Sequence, residues 1–427
     1  MTTLMLFGVC LGLMAIGMPV AFAIGIAGFT YFMLPGTFLP AAIGVQRVVS
    51  TTQSFPLLAV PLFILLGHLM NASGIMARLV RLSDVLVGWM IGGLAQASIV
   101  LSTLMGGVSG SAVADAAMQG RIISPGMVGH GYSKGFTGSV IAIGSLITAT
   151  IPPSIGLILY GFLGEVSIGK LFLGGVVPGV LLMITLMLTT RFFAKQRGYE
   201  ASRAKRPSLR EVLLEVRNSI WALLFPVWLL VGIRFGLFTP SEAGAFAVVY
   251  ALMVGLFIHR ELTFRRIAEA FRDSVIDIGM IMLIIMLSGI IGYVISLDQV
   301  PQTLAMLVSH TFHDKYLLLF SLSALLIVLG MILEATVVVM LLTPILVPVV
   351  RAAGIDPVHF GLVMVTLVTF GGMTPPVGVA MYAVCGVMKC SIQEYTREML
   401  PFAGAVLLVV ALMILFPQIV LFLPNNM

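Results

Sequence analysis

Long apolar segments recur from one end of this chain to the other, and they restrict its fold more than any other feature. Residues 278–297 and 399–423, for example, are predominantly apolar and are as long as the roughly 20 residues that a helix needs to cross a bilayer. Only 9% of the 427 residues are charged, against about 25% in soluble domains. We therefore expect an all-α polytopic membrane protein.

Several function classes lack support in the sequence. The phosphate loop G-x-x-x-x-G-K-[ST] is absent, so ATP is not expected to drive this chain directly. Ser109 lies in a glycine-rich stretch that is not G-x-S-x-G, and no enzyme activity is predicted. We assign the formal charge of +6 to loops that flank the membrane rather than to nucleic-acid binding. No cofactor is expected, and an ion gradient remains as the energy source.

Glycine and proline residues recur at a fixed offset, which indicates an internal repeat. Six pairs are separated by 223 positions: Gly107 and Gly330, Pro125 and Pro348, Gly131 and Gly354, Gly138 and Gly361, Pro152 and Pro375, and Pro178 and Pro401. Backbone geometry restricts where these two residue types can stand. The pairs therefore favour two copies of one fold.

The repeat divides the chain into a first copy at 1–193, a basic linker at 194–218 and a second copy at 219–427. Each copy is predicted to contain five transmembrane helices, near 3–17, 19–34, 53–73, 131–163 and 169–193, and near 219–238, 242–259, 275–297, 358–386 and 399–423. The fourth helix of each copy, at 131–163 and 358–386, is expected to be broken. Five is an odd number of crossings, so the two copies must be inverted relative to each other.

Two further apolar segments, 88–125 and 311–349, are interrupted at their centres and are interpreted as re-entrant hairpins. A helix start with a capping box is predicted between the first two helices of the second copy, from Thr239, Pro240 and Glu242. The amphipathic segment 261–271 and its repeat partner at 41–49 are interpreted either as helices along the membrane surface or as plain loops.

The distribution of basic residues predicts the orientation in the membrane. If the linker is cytoplasmic, all but five of the 23 Lys and Arg residues lie on the cytoplasmic side, the five being Arg47, Lys170, Arg234, Lys315 and Arg351. This bias agrees with the positive-inside rule. Both termini are then predicted to be periplasmic.

Irregular backbone at membrane depth persists only where it lines a cavity or is buried in protein. Such breaks are predicted near 109–111, 148–153, 334–336 and 369–376, two in each copy. Their carbonyls and hydroxyls are hard oxygen ligands that suit an alkali cation, whereas helix N-termini suit a carboxylate. A plain proline kink remains the alternative for each of the two proline breaks, and a packing face of small residues remains the alternative for 106–111.

Asp115 and Glu334 are ionisable residues in apolar surroundings, which favours a functional role in membranes. A capping or pairing role for Asp115 remains equally open. If both acted as acid and base of an intramembrane enzyme, they would have to face one cavity. The inverted repeat instead places them on different hairpins.

Several long motifs resemble the large membrane subunit, DctM type, of tripartite ATP-independent periplasmic (TRAP) transporters, which belong to the ion transporter superfamily. They are GGVSGSAVADAAMQG at 106–120, ITATIPPSIGLILYG at 147–161, GIDPVHFGLVMV at 354–365 and GGMTPPVGVAMY at 371–382. The resemblance covers essentially the whole chain.

This resemblance implies a secondary transporter of the bacterial inner membrane that imports an organic acid, such as a C4-dicarboxylate, sialic acid or sugar acid. It implies sodium ions as coupling ions, an elevator motion, a periplasmic binding protein of DctP type and a small four-helix membrane subunit of DctQ type. Because the sequence begins at its first crossing, that small subunit is expected to be a separate chain. A stand-alone sodium/divalent-anion symporter of the same superfamily is the alternative.

The resemblance also implies two sodium sites. The first carries over to Ser109, Gly110, Ser111, Thr148, Ala149, Thr150 and Pro152. The second carries over to Gly330, Glu334, Ala335, Thr336, Thr369, Gly371, Gly372 and Thr374. The substrate pocket is expected between the hairpin tips, with Ser111, Thr150, Glu334 and Thr336 as candidates.

Overall fold

A computed structural model describes residues 2–34, 40–300, 302–304, 306 and 314–426, and this part of the chain contains helices but no strand. The first half contains α1 Thr2–Ala15, α2 Val20–Tyr31, α3 Ala41–Thr52, α4 Ala59–Ala72 preceded by a 3-10 turn at Phe55–Leu58, α5 Ile75–Val87, α6 Gly93–Gly106, α7 Ala112–Ile122, α8 Ser124–Gly129, α9 Lys134–Gly144, α10 Leu146–Thr150, α11 Ile155–Leu163 and α12 Ile168–Gln196.

The second half begins after a non-helical connection at 197–208. It contains α13 Leu209–Arg234, α14 Pro240–Met253 continued by a π-helical turn at Val254–Ile258, α15 Phe264–Leu297, α16 Lys315–Ile332, α17 Ala335–Ala352, α18 Pro357–Gly371, α19 Val379–Met388, α20 Ile392–Leu415 and α21 Gln418–Asn425. Residues 311–313, with which the second predicted hairpin begins, lie outside the described residues.

Many of these helices are long and apolar enough to cross a bilayer. Within the described ranges, eight helices meet this condition, or nine if the bent pair Lys134–Thr150 and Ile155–Leu163 forms one span. The pair is bent by 44° at the prolines. α6 and α7 have 14 and 11 residues and are too short to cross alone, whereas α16 and α17 have 18 residues each. The prediction of an all-α polytopic membrane protein is confirmed.

Local sequence explains where many helices begin. The backbone N–H of Thr239 donates to Glu242 Oε2 at 2.8 Å, and the N–H of Glu242 donates to Thr239 Oγ1 at 3.3 Å. This reciprocal capping box starts α14 and confirms the prediction from Thr239, Pro240 and Glu242. Serine side chains cap α9, α11, α12, α13 and α20 in a similar way.

The 223-residue offset is visible in the helix positions. α9 and α10 correspond to α18, and α11 corresponds to α19. A proline pair lies in each break, Pro152–Pro153 in the first half and Pro375–Pro376 in the second, and both pairs are joined by a cis peptide bond. The domain bounds drawn at residues 193 and 218 remain predictions; between them lie the last residues of α12, the connection at 197–208 and the start of α13.

The helices pack in two groups, an outer group of α1–α5 with α13–α15 and an inner group of α6–α12 with α16–α21. In the outer group, α15 packs against α2, α3 and α4, and α14 packs against α4. α15 is one helix of 34 residues, so its amphipathic start at 264–271 continues into the crossing instead of forming a separate surface helix. Its repeat partner, α3, is a helix as well.

Helices from the two halves interlock within the inner group. α7 packs against α19, and α17 packs against α11. A Cβ atom placed on Gly120 would lie 3.5 Å from Val387, and one placed on Gly164 would lie 3.1 Å from Thr343. These two contacts are related by the same 223-residue offset, because Gly120 corresponds to Thr343 and Gly164 to Val387. Each hairpin therefore rests on the broken helix of the other half.

Candidate functional site

The first break lies between α10 and α11, and its prolines leave backbone carbonyls without helical donors. α10 ends at Thr150, Ile151 is extended, and Ser154 caps α11. In a continuous helix residues 152 and 153 would donate to the carbonyls of Thr148 and Ala149, but proline has no N–H. Two carbonyl oxygens thus become available to a ligand at the centre of the membrane domain.

The turn of the first hairpin lies directly on this break. Gly110 has a φ of +64°, which a residue with a side chain adopts only with strain. A Cβ atom on Gly110 would also lie 2.4 Å from the carbonyl oxygen of Pro153. The N–H of Ile155 points at the Gly110 carbonyl oxygen at 3.5 Å. The glycine is therefore required for the approach of the hairpin to the break.

The predicted polar residues of the first site differ in whether their hydroxyl groups already form hydrogen bonds within the protein. Among the described residues, Ser109 Oγ is buried and has no hydrogen-bond partner. Ser111 Oγ accepts from the N–H of Ala114 at 3.4 Å and caps α7. Thr150 Oγ1 donates to the Leu146 carbonyl at 3.0 Å. Ser109 is thus the predicted site residue whose side-chain oxygen has no partner among the described residues, whereas Ala149 and Pro152 have no polar side-chain atom.

Thr148 belongs to a buried polar network around Asp115 rather than to an open site. Asp115 Oδ2 accepts from Ser102 Oγ at 3.0 Å, Gln119 Nε2 at 2.9 Å and Thr148 Oγ1 at 2.7 Å. Gln119 also accepts from Ser98 Oγ at 2.6 Å. The other carboxylate oxygen, Oδ1, is buried without a partner in the described part of the chain. The network ties both arms of the hairpin to α10.

The second hairpin meets its own break through close backbone contacts. A Cβ atom on Gly371 would lie 2.6 Å from backbone carbons of Gly330, and one on Gly330 would lie 2.5 Å from the Val368 carbonyl oxygen. The N–H of Val377 donates to the Met331 carbonyl at 3.2 Å. Both predicted sites therefore join a hairpin turn to a proline break. Gly330 and Gly371 allow the backbones of α16 and α18 to approach each other closely.

Glu334 stands at the start of α17, in the position that Ser111 has at the start of α7. Its carboxylate accepts from Thr336 Oγ1 at 2.8 Å and from the N–H of Val337 at 3.3 Å. Ala335 is the first residue of α17. Asp115 and Glu334 share no hydrogen-bond partner among the described contacts, and each binds within its own half.

The two breaks differ in how their carbonyls are satisfied. In the second break, the Gly371 carbonyl accepts from the N–H of Thr374 at 2.9 Å and from Thr374 Oγ1 at 2.8 Å. The Gly372 carbonyl accepts from the N–H of Ala380 at 2.9 Å. A proline pair was expected to free carbonyls in both halves. In the second break, Thr374 of the Gly-Gly-Met-Thr turn and Ala380 of α19 supply substitute donors.

Sequence reasoning missed several polar residues near the breaks. Ser102 and Gln119 complete the Asp115 network, and Gln119 follows Asp115 by one helical turn, which was an available signal. Thr366 Oγ1 on α18 is buried with no hydrogen-bond partner in the described ranges. Thr369, three residues later, is 9% exposed. Nothing in the spacing of Thr366 distinguished it from an ordinary core residue.

A polytopic helical fold with two hairpins placed on two broken helices defines a membrane transport protein. Residues 7–419 match the family model described as "Tripartite ATP-independent periplasmic transporter, DctM component". The chain belongs to this family of TRAP transporter large permeases, and it is a permease rather than an enzyme.

Three comparisons illustrate this similarity. The isethionate TRAP transporter permease protein DctMQ of Oleidesulfovibrio alaskensis is 35% identical over 98% of this chain, which spans 65% of that protein's length. The sialic acid TRAP transporter large permease protein SiaM of Vibrio cholerae is 36% identical over 97% of this chain and 96% of its own. The fold matches the YdaH transporter of Alcanivorax borkumensis with a TM-score of 0.67 at 14% identity, covering 97% of each chain.

Proposed function

We propose that this chain is the large subunit of a sodium-coupled secondary transporter that imports an organic acid across the bacterial inner membrane. The observation that carries the proposal is the first hairpin turn seated on the first proline break, with the hydroxyl of Ser109 buried and unpartnered among the described residues. The acid is suggested by the relatives, one of which is named for isethionate and one for sialic acid.

The first sodium ion would be held by oxygen atoms from both elements. The hydroxyl of Ser109 and the released carbonyls of Thr148 and Ala149 are hard, uncharged ligands of the kind that suit an alkali cation. The hydroxyls of Thr148 and Thr150 already donate within the protein, although their oxygens retain lone pairs. The backbone of Gly110 and Ser111 would complete the first site.

The second sodium ion would lie between the turn at 330–336 and the break at 369–374. The carboxylate of Glu334 would supply negative charge there, which the first site lacks. Because Thr374 and Ala380 already satisfy the carbonyls of Gly371 and Gly372, an ion must compete with internal donors. Thr336 and Thr369 are further ligand candidates at the second site.

The substrate carboxylate is placed at the N-terminal ends of α7 and α17, which carry partial positive charge. At α17 the Glu334 carboxylate occupies the helix end and repels an anion. Ser111 at α7, with Thr150 and Thr336, then forms the more favourable contact for the acid. Glu334 acts through the cation rather than on the acid directly.

The inner group of helices is proposed to move as one body against the outer group, because each hairpin packs on the broken helix of the other half. This is the elevator motion, and it carries the bound acid and ions together from one side of the membrane to the other. Both termini are assigned to the periplasm from the basic-residue bias. A periplasmic binding protein and a small four-helix subunit are the proposed partners.

Uptake into proteoliposomes tests the proposal. The chain would be reconstituted with a small four-helix membrane subunit of DctQ type, and uptake of labelled acids would be measured with and without binding protein and an inward sodium gradient. Uptake that requires both the binding protein and the sodium gradient supports a tripartite, sodium-coupled transporter. Uptake without the binding protein would establish the stand-alone symporter, and uptake that is indifferent to sodium would refute the coupling ion.

A further inference from the structure

A basic cavity lies away from the two breaks. It is formed by α5, by α13 and by the end of the π-helical turn that continues α14. It has a volume of about 410 Å³, and the residues that line it include Arg78, Arg81, Arg217, Trp221, Ile258 and His259. Arg81 follows Arg78 by three positions on α5, and Trp221 follows Arg217 by four on α13, so each pair shares a helix face. Three guanidinium groups therefore converge on one space.

Internal acids neutralise only part of this charge. Arg78 Nη1 donates to Glu261 Oε1 at 2.7 Å and to the Gly74 carbonyl at 2.8 Å. Neither Arg81 nor Arg217 forms an ion pair with an acidic residue in the described ranges. Arg81 and Arg217 are exposed and line the same space, so they offer two guanidinium groups without an internal counter-ion to a bound anion.

The apolar surroundings of the cavity indicate that the anion is part of an amphiphile. Phe257 and Trp228 are 73% and 53% exposed, and Ile258 and Trp221 are 42% and 37% exposed. Trp221 lies one turn from Arg217, in the middle of α13 but at the start of the crossing predicted at 219–238, and tryptophan is enriched at the boundary of hydrocarbon and headgroups. The positive-inside argument assigns this end to the cytoplasmic leaflet.

His259 adds a hydrogen-bond acceptor to the cavity. Its Nδ1 lies 3.1 Å from the Ser73 carbonyl oxygen, so Nδ1 carries the proton, and burial lowers the pKa of the imidazole. Nε2 is buried and has no partner among the described residues. A neutral imidazole leaves Nε2 to accept from a hydroxyl group.

We propose that this cavity binds the headgroup of an anionic phospholipid of the cytoplasmic leaflet, with its phosphodiester on Arg81 and Arg217. A headgroup hydroxyl, such as that of phosphatidylglycerol, donates to His259 Nε2. The acyl chains lie against the exposed apolar side chains beside the cavity. Basic pockets between helices on the cytoplasmic side are suited to such headgroups. This site would anchor the outer group and is separate from the substrate path.

Binding of phosphatidylglycerol to the purified full chain, titrated by native mass spectrometry against phosphatidylcholine, tests the proposal. A basic residue near an anionic lipid contributes about a fivefold change in binding, so Arg81→Gln with Arg217→Gln should weaken phosphatidylglycerol binding by about 30-fold. Arg265→Gln with Arg272→Gln removes the same charge from exposed positions of α15 that do not line the cavity, and it should weaken binding clearly less than the Arg81 and Arg217 pair does. The proposal would be overturned if both double variants lost phosphatidylglycerol binding equally. It would also be overturned if Arg81→Gln with Arg217→Gln lost none.

Two further experiments control for misfolding and distinguish a bound phospholipid from free phosphate. Arg81→Lys with Arg217→Lys keeps the charge and should retain binding within about fivefold of the unchanged chain. Loss as large as in the glutamine variant would count against a phosphate contact. Millimolar inorganic phosphate should not displace phosphatidylglycerol, because it lacks acyl chains. Displacement would assign the cavity to a soluble phosphate instead.

Discussion

Ser109 contains a buried hydroxyl oxygen that no described residue satisfies, and this makes it the most direct test of the first sodium site. Replacing Ser109 with Ala removes one proposed ligand without leaving a new unsatisfied partner. The sodium concentration for half-maximal uptake should rise about tenfold, which corresponds to the loss of one moderate polar contact. Thermal stability without sodium should be unchanged.

Thr190→Val provides the matched control for this experiment. Thr190 Oγ1 is also buried without a described partner, but it lies on α12 outside both breaks. Its loss should leave the sodium dependence unchanged. If the two variants behave alike, Ser109 is an ordinary buried hydroxyl and the first site lies elsewhere.

Asp115 is predicted to stabilise the first hairpin through three hydrogen bonds to a single oxygen, Oδ2. Asp115→Ala should lower stability by about 2 kcal/mol or more, since three buried donors lose their acceptor. Asp115→Asn places an amide oxygen at the same position and should retain most of that stability. Thermal unfolding of the purified variants measures both changes.

The exposed Asp273 on α15 supplies the comparison, because Asp273→Ala should leave the melting temperature nearly unchanged. A melting temperature of Asp115→Ala equal to that of Asp273→Ala would show that the network contributes no stability. Uptake by the stable Asp115→Asn variant then reports whether the charge itself is needed. Unchanged uptake would leave Asp115 a structural role alone.

At the residue scale the sequence predicted the location of the breaks better than their chemistry. The proline pairs and Gly110 were informative, since backbone geometry limits where they can occur. The partners of Asp115 could not be predicted, because Ser102, Gln119 and Thr148 lie on three helices whose packing decides which hydroxyl faces the carboxylate. Likewise, the donors of Thr374 and Ala380 to the second break depend on a turn whose geometry no motif describes.

At the scale of single elements, the contact between α16 and α18 depends on two glycines. Gly371→Ala would place a Cβ atom 2.6 Å from the backbone of Gly330, and backbone cannot move aside as a side chain can. The helices must separate, at about 1–3 kcal/mol, and the melting temperature should fall. Sodium-driven uptake should fall with it, because the second site lies at this contact.

Gly386→Ala on α19 is the control, since a Cβ atom there meets nothing within 4 Å. Its stability should be equal to or slightly above that of the unchanged chain. An equally stable Gly371→Ala protein would mean that the helices have room to adjust. The close contact between Gly371 and Gly330 would then not be needed for stability.

The elements themselves were largely predictable. Apolar length and the fixed offset placed the helices and both breaks, and the Thr239 capping box predicted the start of α14. The continuity of α15 was not predicted, because a charged amphipathic start and an apolar crossing differ in composition although no proline or glycine separates them. Whether α16 and α17 re-enter or cross stays a prediction, since 18 residues suffice for either.

For the whole molecule, the elevator proposal predicts that a bond between the two helix groups stops transport. A Cβ atom on Gly169 of α12 would lie 2.9 Å from Ile233 of α13. In a background without Cys10, Cys385 and Cys390, the pair Gly169→Cys and Ile233→Cys should abolish uptake on oxidation and restore it on reduction. Neither position belongs to a proposed site.

A bond inside the outer group should have no such effect. Thr51 and Gly289 are in contact, with a Cβ atom on Gly289 meeting the Thr51 side chain, and the pair Thr51→Cys and Gly289→Cys joins α3 to α15. Oxidation of this pair should leave uptake intact. Transport that survives the bond between α12 and α13 would exclude a relative motion of the two groups.

The contacts of α7 with α19 and of α17 with α11 also bear on how the protein is made. The first hairpin packs on α9, α10 and α12 of its own half, but the face of α7 that meets α19 stays uncovered until the second half is made. α19 ends at residue 388, 266 positions after the end of α7 at residue 122. At about 5–20 residues per second, the ribosome therefore completes α19 roughly 13–53 s after α7. During that interval the nascent hairpin must be shielded by lipid, by the insertion machinery or by a chaperone, and a prematurely terminated chain becomes a substrate for membrane proteases.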